Sequence, residues 1–201
     1  MNPGINHDES YCADDSLSKE EYQKILAVCD DFEDKILIQF AVTTGLRRFD
    51  VTAVEVQNIN FEKGMLTYTE RKKHNRIRTI PLQQNLLTDL KMYLNIRKVK
   101  TGPLFTFKDR AAYNHFNVLC FKAGILEKSD MPDSKDCLWP GCKPRPFHAL
   151  RSTCAKFCRD AGWTLEQTAM LLGDDEKTVQ RYYVVPNQED MRTLIRDKPV
   201  G

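Results

Sequence analysis

The chain has 201 residues, 41% of them hydrophobic, and thirty Lys plus Arg against twenty-eight Asp plus Glu, a net charge of +2. That length and apolar content suit one ordinary domain with its own core and exclude an intrinsically disordered protein. No stretch approaches the roughly 20 apolar residues that a membrane span requires, and no basic-then-apolar leader opens the chain.

Residues 1–16 show no periodicity and read as a flexible N-terminal tail. Ser18-Lys19-Glu20-Glu21 has the spacing of a capping box and starts a helix through Tyr22, Ile25, Leu26 and Cys29. A second helix is predicted over 33–44, with Ile36, Leu37, Phe40 and Ala41 on its apolar side and Gly45 as its stop. Three β-rich stretches follow near 54–59, 65–69 and 76–80, making a small antiparallel sheet whose last turn carries Lys72 and Lys73. Pro81 ends that sheet before a helix over about 83–98, with Leu86, Leu87, Leu90 and Leu94 inward. Another helix near 110–123 leads into an irregular loop over 124–145. The remainder reads as helices over 148–161, 165–172 and 176–183, with a tail helix near 188–195. The fold class is therefore α+β, mostly helical with a small three-stranded antiparallel sheet.

Charge is unevenly spread: residues 1–34 carry mostly Asp and Glu, whereas 71–78 and 91–100 are strongly basic. A basic run is most often a solvated face, so the case for an anionic partner depends on what lies beside it. Seven cysteines without a secretory leader point to reduced thiols. Cys154 and Cys158, one helical turn apart, read as small core residues. Cys137 and Cys142 bracket a Pro-Gly turn as in a zinc knuckle, but no second thiol pair follows, and a plain loop is the favoured reading.

Four segments carry chemistry. His148 and Arg151 are three residues apart, so a helix turns both onto one face, where they can grip a phosphate. Thr44-Gly45-Leu46-Arg47-Arg48-Phe49-Asp50 lies about a hundred residues upstream, Lys72-Lys73-His74 falls between, and Leu171-Leu172-Gly173 with Tyr182-Tyr183 closes the series. Each motif alone is weak. In this order and at these separations they resemble the catalytic domain of the tyrosine recombinase (phage integrase) family, over 17–185.

The resemblance implies DNA cleavage and rejoining through a covalent 3′-phosphotyrosine, with no metal, cofactor or nucleotide energy. Arg47, His148 and Arg151 would bind the scissile phosphate. Arginine suits that task because its planar fork donates two N–H groups and stays charged. Asp50 would support Arg47. Matching Ile80-Pro81-Leu82 to the family hairpin places the general acid on Lys73, with Lys72 as the fallback. An ungapped match makes Tyr183 the nucleophile and puts Asp174 where the family usually has His or Trp; a one-residue deletion makes it Tyr182. Asp174 is a departure, since an ionised carboxylate cannot donate to phosphate and repels it. Either it orients a neighbouring Arg or Lys, or that position contributes less here.

Arg48, Arg71, Lys72, Arg76 and Arg78 are the expected DNA-contacting residues. The expected partners are double-stranded DNA and, on DNA, three further copies in a homotetramer, with a monomer when free and no membrane. The segment 186–201 would be available for exchange between subunits. The family's usual N-terminal DNA-gripping domain has no counterpart before residue 17, so a fragment or a minimal member is expected. The location implied is intracellular and DNA-associated, in the cytoplasm of a prokaryotic host. Two other readings remain: a type IB topoisomerase-like relaxation, which shares the chemistry, and a DNA-binding regulator on a decayed version of the fold.

Overall fold

The computed structural model describes residues 15–130, 133, 135–182 and 196, and the side chains of 181 and 182 lie outside that description. The expected tail helix and Tyr183 also fall outside it, as does the segment 186–201 apart from residue 196.

The helix starts are written in local hydrogen bonds. Ser18 Oγ accepts the Glu21 amide at 3.0 Å while Glu21 Oε2 accepts the Ser18 amide at 2.8 Å, which closes the capping box and opens α1 (Lys19–Ala27). Asp31 accepts the Glu33 amide at 2.8 Å and opens α2 (Phe32–Thr44), which stops at Gly45 in the left-handed conformation. Ile36, Leu37, Ile38, Phe40, Ala41 and Val42 are all buried. These residues cover most of the helix circumference, leaving Lys35, Gln39 and Thr43 as a narrow, partly buried polar stripe.

A short helix not foreseen in the sequence, α3 (Arg48–Thr52), follows directly. The first expected strand is a correction. Residues 54–59 do not form it; instead Val56–Asn58 is a 3₁₀ turn closed by the Glu55 amide donating to Asn58 Oδ1 at 2.8 Å, and β1 is only Ile59–Asn60. Strands β2 (Met65–Glu70) and β3 (Arg76–Pro81) complete an antiparallel sheet in the order β1-β2-β3. Its register sets Leu66 opposite Ile80, Tyr68 opposite Arg78 and Glu70 opposite Arg76. The connecting 3₁₀ turn, Arg71–Lys73, is followed by His74 and Asn75, both at positive φ.

Helices α4 (Gln84–Arg97), α5 (Asp109–Lys122) and α6 (Ala149–Asp160) all pack against α2. Across the irregular 124–145 stretch, Asn117 Oδ1 accepts the Arg145 amide at 2.7 Å and its Nδ2 donates to the Arg145 carbonyl at 3.0 Å, fixing the approach to α6. Among the described residues no group of three or more His, Cys, Asp or Glu side chains is placed to hold a metal, Cys137 and Cys142 included. Also among them, no helix is long and apolar enough to cross a membrane. Cys154 and Cys158 are buried on α6. The chain ends, as described, with α7 (Leu165–Leu172) and α8 (Glu176–Tyr182).

Candidate active site

Each site residue owes its place to a helix end or a strand end. Gly45 turns the chain out of α2, and a Cβ there would lie 2.3 Å from Leu172 Cδ2, so the end of α7 docks directly on this turn. Two residues later Arg47 becomes the N-terminal flank of α3 with its side chain turned inward, 17% exposed. Arg151, 2% exposed, projects from the first turn of α6 and donates to the Gly45 carbonyl at 2.5 Å and the Leu172 carbonyl at 2.8 Å. The two arginines converge on one anion: Arg47 Nη2 lies 2.7 Å from Asp174 Oδ1, and Arg151 Nη2 lies 2.6 Å from Asp174 Oδ2.

Asp174 is the single residue between Gly173, which caps α7, and Asp175, whose carboxylate accepts the Thr178 amide at the start of α8. Its side chain is 4% exposed. Burial alone would raise the Asp174 carboxyl, but Arg151, Arg47 and then Lys73 outweigh it and hold the group below the usual aspartate range. Lys73 Nζ sits 3.8 Å from Asp174 Oδ1. The Asp174 carboxylate is thus in contact with Arg47 and Arg151 and within 3.8 Å of Lys73.

Arg47 is held from behind by a residue the sequence reading missed. Glu70, buried at the end of β2, takes Arg47 Nη1 at 2.5 Å on one oxygen and Arg76 Nη2 at 2.7 Å on the other. The signal was present in the alternation Leu66, Tyr68, Glu70, which sends all three side chains inward. Asp50, expected to support Arg47, is buried but accepts the Arg71 amide at 3.2 Å; it acts on Arg47 through space, and burial pushes its carboxyl up. Glu70 therefore makes the direct contact expected of Asp50.

His148 flanks the N-terminus of α6 and is half-buried. Burial, then the charges of Arg151 and Arg47, push its imidazole down to about 3, so it is neutral and offers one N–H donor rather than two. It lines a cleft of about 220 Å³ together with Arg47, Arg48, Phe49, Lys72 and Arg151. Lys73 faces a second cleft of about 570 Å³, with Arg76, Arg78 and Asp174 on its wall.

The basic residues expected to touch DNA divide into two groups. Arg71 and Lys72 are exposed on the hairpin turn. Arg76, whose side chain is half exposed, and Arg78 also secure the C-terminal end of α7, where unsatisfied carbonyls and the negative end of the helix dipole favour cations. Arg76 Nη2 donates to the Gly173 carbonyl at 3.0 Å, and Arg78 donates to the Met170 and Leu171 carbonyls and to Tyr68 Oη. Arg48 Nε is engaged at 2.5 Å by Asp109, its guanidinium lying over the rings of Phe49 and Tyr113. The structure thus gathers Arg47, Lys73, His148, Arg151 and Asp174 in one place. Tyr183 lies outside the described residues, and of Tyr182 only its place at the end of α8 is described.

A mostly helical domain with one three-stranded antiparallel sheet brings two arginines from distant segments onto one carboxylate, that of Asp174, beside Lys73 and near His148. Residues 15–189 match the phage integrase family, and the chain belongs to that family. Among curated relatives, it is 30% identical over 169 residues to the tyrosine recombinase XerA of Saccharolobus solfataricus, covering 83% of this chain and 51% of that protein. It is 38% identical over 92 residues to XerA of Pyrococcus furiosus, covering 45% of this chain and 32% of that protein. The chain thus spans about half or less of the length of these two relatives. Among solved structures, a XerA recombinase superposes with a TM-score of 0.73 at 18% identity, over 92% of this chain and 66% of that one. The catalytic domain of bacteriophage HP1 integrase superposes with a TM-score of 0.60 at 20% identity, over 92% and 95%. A XerH recombinase bound to its difH substrate in a post-cleavage complex gives 0.65 at 19%, over 92% and 52%. These likenesses establish the fold.

Proposed function

We propose that this domain cleaves and rejoins DNA strands as the catalytic part of a site-specific recombinase. The observation that carries the reading is the clasp of one carboxylate by Arg47 and Arg151 at 2.7 and 2.6 Å, since two guanidiniums that share that anion can share a phosphodiester. In the proposed reaction the Tyr183 Oη (Tyr182 in the gapped match) attacks phosphorus, the bond to the 5′-oxygen breaks, and Lys73 Nζ gives that oxygen its proton while the phenolic proton leaves to water. Arg47 and Arg151 carry the charge gathering on the non-bridging oxygens, and neutral His148 adds one N–H. A 5′-hydroxyl then attacks the phosphotyrosine and releases the tyrosine, so the bond energy is kept in the ester and neither metal nor nucleotide is consumed. Double-stranded DNA is the proposed substrate, with four copies of the chain acting on two duplexes.

The test is a pool of nicked duplexes of randomised sequence, in which cleavage beside the nick traps the enzyme on DNA. A covalent adduct that vanishes in Tyr183→Phe supports the assignment, and loss only in Tyr182→Phe moves the nucleophile by one residue. Absence of adduct together with tight binding would favour the regulator reading, and relaxation of supercoiled DNA without strand exchange the topoisomerase-like one.

A further inference from the structure

The cationic seat proposed for the phosphate is already filled. Both oxygens of Asp174 are taken, one by Arg47 and the other by Arg151, and Lys73 stands 3.8 Å from the first. A phosphodiester approaching the same N–H groups would meet a buried like charge at contact distance, an arrangement in which repulsion offsets most of what the arginines offer. One of the two anions must give way.

The remaining ligands of the arginines say which. Arg47 has Glu70 on its other terminal nitrogen, 2.5 Å away, and Arg151 keeps the carbonyls of Gly45 and Leu172. If Asp174 leaves, both guanidiniums stay aimed into the seat. Asp174 is held there by its ion pairs and, among the described residues, by the bond of its amide to the Ala169 carbonyl at 3.2 Å. It is also the middle of the three residues, 173–175, that join α7 to α8. Asp175, next to it, begins α8 by taking the Thr178 amide and hydroxyl at 2.9 Å each, so motion at the joint is passed to the helix that leads to Tyr182 and Tyr183.

We infer that Asp174 is a built-in competitor for the phosphate: it occupies the seat between Arg47 and Arg151 in the absence of DNA, and an entering phosphodiester displaces it. Displacement frees Lys73 from its acidic neighbour and loosens the link between α7 and the start of α8. The inference rests on the proposed function for the identity of that phosphate, but the exchange of anions stands on the geometry alone.

The test uses inorganic phosphate and the whole chain. Thermal unfolding is followed in phosphate against chloride at equal ionic strength, for the native protein and for Asp174→Asn. The native protein should gain only a weak stabilisation from phosphate over chloride, because phosphate must first displace Asp174. Asp174→Asn should gain a saturable stabilisation with an apparent affinity on the order of tenfold tighter or more, because the seat is no longer taxed by an internal occupant. Equal responses in the two proteins overturn the inference, as does an Asp174→Asn chain that stays unfolded in phosphate and chloride alike; recovery of folding by phosphate alone supports it. A second measurement needs no variant: adding the nicked duplex pool to the native protein should speed hydrogen exchange at the Thr178 and Val179 amides, and unchanged or slower exchange with DNA bound contradicts the loosening of this link. Covalent adduct with native protein but equal phosphate responses would sink only the exchange. Selective phosphate binding by Asp174→Asn without adduct on any duplex would sink only the recombinase reading.

Discussion

Glu70, at the end of β2, and Arg47, just before α3, meet at 2.5 Å, a buried carboxylate beside the arginine that also contacts Asp174. Glu70 also holds Arg76, which in turn binds the end of α7, so one acidic side chain ties the hairpin to both halves of the site. Replacing it by Ala should cost about 3 kcal/mol of stability, the low end for a broken buried ion pair because Arg47 and Arg76 both reach solvent. Urea unfolding midpoints check the stability loss. Adduct yield on nicked DNA should fall further in Glu70→Ala than in Asp50→Ala, and the reverse order would return the supporting role to Asp50.

Arg47→Ala and Arg151→Ala should each lower the cleavage rate by about 10²–10³-fold, the usual loss when one positioned donor is removed from a developing negative charge. DNA affinity should change little by comparison. Single-turnover cleavage beside equilibrium binding separates the two effects, and equal losses in both would mean that the arginines bind DNA without stabilising the transition state.

Gly45→Ala combines a left-handed backbone position with a Cβ set 2.3 Å from Leu172 Cδ2. Forcing that overlap in a closed core should destabilise by about 1–3 kcal/mol. Thermal unfolding measures it, and adding Leu172→Ala should make the Gly45→Ala penalty smaller than in the native background. An unchanged penalty would place the strain in the backbone alone.

His148 supplies a pH signature. Its folded-state value, about 3, lies below the ordinary 6.5, so the unfolded chain takes up a proton that the native one refuses. The stability it contributes is present above pH 6.5 and is lost as pH falls toward 3, with a slope of at most about 1.4 kcal/mol per pH unit. The advantage of the native protein over His148→Gln in urea unfolding should therefore shrink between pH 7 and pH 4.5. Parallel curves would show that the imidazole is not held neutral.

DNA binding should weaken steeply with salt as phosphate counterions are displaced. Lys72→Ala should reduce the logarithmic salt slope by about 1, as a single lost phosphate contact does. Arg78→Ala should leave that slope nearly unchanged and lower stability instead, because its guanidinium is spent on the carbonyls of Met170 and Leu171. A slope change in Arg78→Ala equal to that in Lys72→Ala would restore Arg78 to the DNA-facing surface.

Much of this architecture is legible in the chain because its signals are local. The capping box at Ser18, the stop at Gly45 and the alternation in β2 all act within a few residues, and the structure keeps them. The stretch around Val54 and Val56 misleads because β-branched residues at period 2 mimic a strand, whereas Asn58 closes the backbone into a turn. The contacts of Arg76 and Arg78 with the carbonyls of Gly173, Met170 and Leu171 are not legible, since charge alone does not show which carbonyls lie within reach. Glu70 is missed for the same reason: an inward carboxylate is stable only beside cations brought from Arg47 and Arg76, and that meeting is a property of the fold. Asp174 is visible in sequence as a misfit, and only the two guanidiniums on its oxygens explain it.

The convergence of Arg47 and Arg151 on the phosphate beside a tyrosine is tested most directly by proteolysis of protein incubated with nicked DNA, followed by mass measurement of the nucleotide-linked peptide. A phosphodiester on the peptide containing Tyr182 and Tyr183, with its yield reduced in both Arg47→Ala and Arg151→Ala, is the predicted result. A linkage at any other residue, or a yield indifferent to either arginine, would contradict the account.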